Sequence, residues 1–171
     1  ALFWETTGCG NNFDSSKAIV KQHIKDSLTY YITKMGVDGF RFDLAPVLGR
    51  DAYPNYYFNP NAQLLVDIAN MTTTYNVEMI AEAWDTQWPG GYQVGQFPNK
   101  WGEWNGRYRD AVRRFLKGDT QGGGGVTYAD AFYGDYANFN DQGGPHKSVN
   151  FVIAHDGFTL ADLVSYNSKT N

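Results

Sequence analysis

The stretch Val37-Asp38-Gly39-Phe40-Arg41-Phe42-Asp43-Leu44 leaves this chain few folds to choose from. Its alternation is that of a β-strand with two unlike faces, Phe40, Phe42 and Leu44 on one and Gly39, Arg41 and Asp43 on the other. An apolar set of that size belongs against packed helices. On the other face a cation and a carboxylate stand two residues apart, roughly 7 Å along a strand. Burying both is costly unless they serve each other or a ligand. A guanidinium that near a carboxylate favours the ionised form, which is the form a nucleophile needs. The alternative is a structural ion pair within a sheet, and on these eight residues alone it is the better reading.

The flanking sequence supplies the helices. Over 16–35, Val20, Ile24, Leu28, Tyr31 and Met35 recur at helical spacing, with Lys17, Lys21, Lys25 and Lys34 off that stripe. Asp14 or Ser15 is the expected cap and Gly36 the stop. After an aromatic loop with Tyr53, Tyr56, Tyr57 and Phe58, Asn59-Pro60 predicts a helix start, and Leu64, Leu65, Ile68, Met71 and Tyr75 give the helix its face. The apolar run 77–81 predicts a second buried strand, closed by Glu82. A loop rich in Gly, Pro and Trp follows, then a short extended piece over 101–105. Tyr108, Ala111, Val112, Phe115 and Leu116 mark a basic amphipathic helix. A flexible loop is expected at 122–125, a weak helix near Ala129, a strand over 149–154 and a short helix from about Leu160. Alternation of this kind implies parallel strands with crossover helices, an α/β fold. Asp43, Glu82 and Asp156 each end a predicted strand. In a parallel barrel all three open on one mouth; a twisted open sheet also gathers such loops at its carboxyl edge.

Composition narrows the partners. With 171 residues, 42% hydrophobic, and a net charge of -4, the chain has material for one core and no basic surface for nucleic acid or anionic membrane. No apolar run approaches the ~20 residues that span a bilayer, and no signal-peptide pattern is present. A lone cysteine, Cys9, excludes an intrachain disulfide and a multi-cysteine metal site, and its setting in Gly8-Cys9-Gly10 reads as a small packed loop residue.

Three carboxylates at one mouth force at least one to hold its proton unless a cation sits among them. One raised and one depressed carboxyl is the pairing glycoside hydrolysis uses. A Mg²⁺ or Ca²⁺ site is the competing reading, which Arg41 beside Asp43 disfavours. The aromatic loops favour sugar, whose apolar ring face stacks on Trp or Tyr.

At this point the motifs resemble a known family. Gly36-Val37-Asp38-Gly39-Phe40-Arg41-Phe42-Asp43-Leu44-Ala45 resembles the strand-four signature of the α-amylase superfamily. Ala81-Glu82-Ala83-Trp84-Asp85 is similar to its strand-five signature, and the run from Phe151 through His155-Asp156-Gly157 to Leu160 to its strand-seven signature. The segments beginning Gly90-Gly91-Tyr92, Trp104-Asn105-Gly106 and Ala161-Asp162-Leu163 resemble isoamylase-type glycogen and starch debranching enzymes. The resemblance implies Asp43 as nucleophile, Glu82 as general acid/base and Asp156 as the third carboxylate, gripping sugar hydroxyls. It implies that Arg41 orients Asp43 and that His155 binds substrate, with Trp84, Tyr92 and Trp104 as further glucan contacts. The implied reaction is retaining hydrolysis of α-1,6 branch points in glycogen, amylopectin or limit dextrin, with no cofactor and no metal, in cytoplasm or plastid. Such enzymes have eight barrel strands, whereas the match runs only from about strand four to strand seven, without the strand-three signature. The expectation is therefore a single incomplete catalytic (β/α)8-barrel domain over 1–171, an internal fragment of a longer enzyme. The alternatives are another superfamily hydrolase or transferase acting on α-1,4 bonds, and a non-catalytic glucan-binding subunit of the same fold.

Overall fold

The computed structural model describes residues 3–4, 7–50, 55–119, 126–140 and 143–168. A small antiparallel pair, β1 (Phe3–Trp4) and β2 (Asn12–Phe13), precedes helix α1 (Ala18–Met35). Then follow β3 (Gly39–Phe42), α2 (Gln63–Tyr75), β4 (Glu78–Ala81), β5 (Trp101–Trp104), α3 (Gly106–Leu116), α4 (Tyr128–Phe132), α5 (Tyr136–Phe139), β6 (Ser148–Val149) and α6 (Leu160–Ser165). β3 to β6 form one parallel sheet in sequence order. The α/β class with a parallel sheet is thus as expected.

Register divides the sheet into two faces. Phe40, Met79 and Trp101 lie side by side, as do Phe42, Ala81 and Glu103. This face packs under α2, where Leu64, Leu65 and Ile68 are fully buried with Met79, Ala81 and Trp101. The Trp101 indole N–H donates to the Leu65 carbonyl at 3.0 Å, tying helix to sheet. The other face carries Arg41, Ile80 and Gly102 in one row, with Trp104 two residues on. β3 and β4 approach so closely at one point that a Cβ on Gly39 would meet the Glu78 carbonyl at 2.8 Å.

Several boundaries differ from expectation. α1 ends at Gly36, whose φ of +69° is left-handed, as read. Its N-cap position falls on Lys17, with no side-chain cap, and Asp14 accepts instead from the Ser16 N–H and hydroxyl. Tyr31 and Met35 are exposed; only Val20, Ile24 and Leu28 of that stripe face the core. Asn59-Pro60 builds a turn ahead of α2 rather than its first residues: the Asn59 side chain accepts from the Asn61 N–H and its carbonyl from Ala62. The strand expected over 149–154 shrinks to β6. Beyond Val149 the backbone is held by a side chain, Arg113 Nε donating to the Val152 carbonyl at 2.8 Å. Among the described residues no further strand offers β6 a second ladder. The helix near Ala129 is present as α4, with a Thr127–Asp130 capping box. Cys9 is exposed, not packed. Tyr53 and the loop at 122–125 lie outside the described residues. No helix among the described residues is long and apolar enough to cross a membrane.

Candidate active site

β3 stops at Phe42, so Asp43 leaves the strand in a turn and Leu44 adopts a left-handed φ of 44°. Leu44 therefore does not continue the Phe40/Phe42 face. A non-glycine residue held this way stores on the order of 1–3 kcal/mol. The conformation aims the Leu44 N–H at Glu82 Oε2, 2.9 Å away. Backbone bonds from Glu82 N–H to the Phe42 carbonyl and from Ala45 N–H to the Glu82 carbonyl, both 3.0 Å, lock the two strand ends together.

One guanidinium serves both carboxylates. Arg41 Nη1 donates to Asp43 Oδ1 at 2.5 Å, and Nη2 stands 2.9 Å from Glu82 Oε2. The second contact is an ion pair without hydrogen-bond alignment, and the Arg41 Nε and Nη2 atoms are both buried without an aligned acceptor among the described residues. The guanidinium carbon lies 4.3 Å from the centre of the Trp104 ring, a stacking that contributes about 0.5–2 kcal/mol. The two acids differ in setting. The Asp43 side chain is 67% exposed and that of Glu82 only 5%. Burial pushes the Glu82 carboxyl above its usual range, the Leu44 N–H and Arg41 pull it back, and the neighbouring Asp43 adds to the rise.

Glu82, Trp84, Trp104, His155 and Asp156 line one cavity of about 310 Å³, together with Arg109, Arg113 and Phe151. The structure thus brings five of the sequence-predicted residues around one space. Asp43 lies outside that lining, joined to it through Arg41. Asp156 is 81% exposed, its Oδ2 3.4 Å from His155 Nε2. Tyr92 stands behind the cavity, stacked on Trp84 with ring centres 6.0 Å apart and planes within 9°. Burial pushes its hydroxyl up to about 12, with the Asp110 charge next in effect. Its ring is half exposed, while a Cβ on Gly106 would come within 3.1 Å of its oxygen. No group of three or more His, Cys, Asp or Glu among the described residues is arranged to hold a metal ion.

Three supporting clusters escaped the sequence reading. Arg50 and Asp85, both fully buried, form a two-pronged ion pair at 2.8 and 2.6 Å, with Arg50 also donating to the Tyr56 and Gly90 carbonyls. Glu103, on the helix face of β5, accepts from the Gly95 N–H at 2.6 Å and lies 3.6 Å from Lys147 Nζ; that lysine donates to the Phe97 and Pro98 carbonyls. Asn105 caps α3 through Tyr108 N–H and donates to Asp135 and Ser148, while Arg107 grips Asp135. The only signal in the sequence is charge inside apolar or aromatic runs; the partners are too distant along the chain to be paired by spacing.

No family model matches the chain. Curated relatives do, over nearly all of it. The chain is 47% identical to "Isoamylase SU1, chloroplastic" of Zea mays, over 99% of this chain and 23% of that protein. It is 43% identical to the chloroplastic isoamylase 1 of Arabidopsis thaliana over 99% of the chain and 24% of the relative. A glycogen operon protein GlgX homolog of Haemophilus influenzae is 47% identical over 96% of the chain and 24% of its own length. The chain belongs to the isoamylase family. Among solved structures, this isoamylase-type chain superposes on a pullulanase from Bacillus acidopullulyticus with a TM-score of 0.70 at 24% identity, covering 95% of the chain and 20% of that structure. It matches PulA from Klebsiella oxytoca with a TM-score of 0.64 at 22% identity, over 96% of the chain and 20% of that structure; both likenesses concern the fold alone. The isoamylase-type chain spans about a quarter of the length of the curated relatives it matches.

Proposed function

We propose that these residues form part of the active site of a glycoside hydrolase cleaving α-1,6 branch linkages in glycogen- and amylopectin-type glucans. β3 to β6 are then strands four to seven of an incomplete (β/α)8 barrel occupying 1–171. The observation that carries the reading is the pair of carboxylates on one guanidinium, one exposed and one buried. Asp43, exposed and paired with Arg41, attacks the anomeric carbon. Glu82, whose carboxyl burial pushes above its usual range, donates a proton to the departing oxygen and then, as a base, activates water against the glycosyl–Asp43 ester. Asp156 and His155 bind sugar hydroxyls at the same cavity, and the stacked pair Trp84 and Tyr92 supports the glucan. The names of the isoamylase relatives point to the same substrate class. No cofactor enters this chemistry.

The test uses the full reading frame that carries these residues. Release of reducing ends from amylopectin, with growth of iodine colour, is expected from the unmodified protein. Asp43→Asn is expected to abolish turnover while glucan binding persists. Glu82→Gln is expected to regain deglycosylation with azide on a substrate bearing an activated leaving group. Near-normal turnover by Asp43→Asn would remove the nucleophile assignment. Cleavage of linear amylose with branch points left intact would replace this reading by an α-1,4 activity.

A further inference from the structure

Trp104 was expected to be a surface on which sugar stacks. Its surroundings give it a different task. One face of its ring is covered by the Arg41 guanidinium at 4.3 Å, while Phe151 and His155 approach it at 5.4 and 6.0 Å. Arg41 in turn pairs with both Asp43 and Glu82. Yet hydrogen bonds do not fix the plane of that guanidinium, since Nε and Nη2 are buried without aligned acceptors. With one aligned hydrogen bond, at Nη1, and an unaligned ion pair at Nη2, the tilt of the plane is left to what packs against it. A flat aromatic face beneath sets that tilt.

We propose that Trp104 is a positioning residue that holds Arg41 across Asp43 and Glu82, setting the protonation of the pair rather than binding glucan. This rests on the proposed hydrolase reading and deepens it. The charged and titratable groups around Glu82 are Arg41 and Asp43 from the β3 end, and Arg109, Arg113, His155 and Asp156 across the cavity. Of these, Arg41 is the cation within ion-pair distance of it.

The experiment compares Trp104→Leu and Trp104→Phe in the full reading frame. Loss of the π face lets the guanidinium swing off the carboxylates, and a cation withdrawn from a carboxyl makes it harder to ionise. For Trp104→Leu the bell-shaped pH–rate profile on amylopectin is expected to move up by roughly one unit. Its kcat is expected to fall about 10²-fold with KM within about twofold. Trp104→Phe, which keeps an aromatic face, is expected to restore both. A separate reading that needs no turnover is the Glu82 carboxyl followed by NMR titration: upward in Trp104→Leu and near the unmodified protein in Trp104→Phe. Raised KM in Trp104→Leu with an unmoved profile and an unmoved Glu82 titration would overturn the assignment and restore the sugar platform. An unmodified protein inactive on every branched glucan defeats the hydrolase reading instead; the Glu82 titration then still decides whether Trp104 governs Arg41.

Discussion

Leu44 is where one residue's backbone does the work of a side chain. Its N–H is the donor that partly offsets the burial of Glu82, and it makes that bond in a turn where φ is 44°. A β-branched residue suits that region worse than leucine does, and asparagine suits it better. Leu44→Val is therefore expected to lower stability by about 1–2 kcal/mol. It is also expected to shift the alkaline limb of the pH–rate profile upward, since Glu82 loses a donor to its charged form. Leu44→Asn is expected to leave that limb in place; thermal melts and pH profiles of the two variants check both points. In the sequence, Asp43 and Glu82 were visible as acids at strand ends. The Leu44 turn was not, because alternation continues through it and nothing in a leucine announces a positive φ.

At the scale of elements, the parallel strands and their order were legible from runs such as 77–81 and from the helical stripe ending at Gly36. What was not legible depended on partners far along the chain. β6 ends where its partner β5 ends, Val149 opposite Trp104, and beyond it Arg113 takes the Val152 carbonyl. The loop after β4 is fastened by Arg50 to Asp85 in a buried pair that spacing cannot reveal. Arg50→Ala leaves the Asp85 carboxylate buried without its cation and is expected to destabilise by about 3–5 kcal/mol in urea titrations. β5 carries a second test. Burial pushes the Glu103 carboxyl up to about 7, while the nearby Lys147 charge and the Gly95 and Phe97 N–H groups pull it down. The folded state thus binds this proton more tightly than the unfolded chain, whose carboxyl ionises near 4.5. The contribution is complete below pH 4.5 and is lost as pH rises through about 7, on the order of 3 kcal/mol. Urea midpoints at pH 5 and pH 8 are expected to differ by that sense in the unmodified protein and far less in Glu103→Gln.

For the whole molecule, the four-stranded sheet has two outer strands, β3 and β6, each paired on one side only among the described residues. Such edges recruit other strands. Phe115, Leu116, Phe132, Tyr133, Leu160 and Val164, on or just after α3, α4 and α6, are all at least half exposed. These 171 residues expressed alone are expected to self-associate in size-exclusion chromatography with light scattering, and to leave the iodine colour of amylopectin unchanged. A monodisperse, active monomer would contradict both the open-edge argument and the incomplete-barrel proposal.

Because neighbours in this sheet are also successive strands along the chain, the ribosome delivers them in the order in which they pair. Arg41, Asp43 and Glu82 can meet once β4 has left the exit tunnel, with Trp104 arriving next and Asp156 last. Glu82 and its cation can then meet before the cavity that Glu82 lines exists. Pulse-labelled hydrogen exchange on stalled nascent chains would show protection appearing at Arg41 and Ile80 ahead of Trp104, and the opposite order would mean that assembly waits for release.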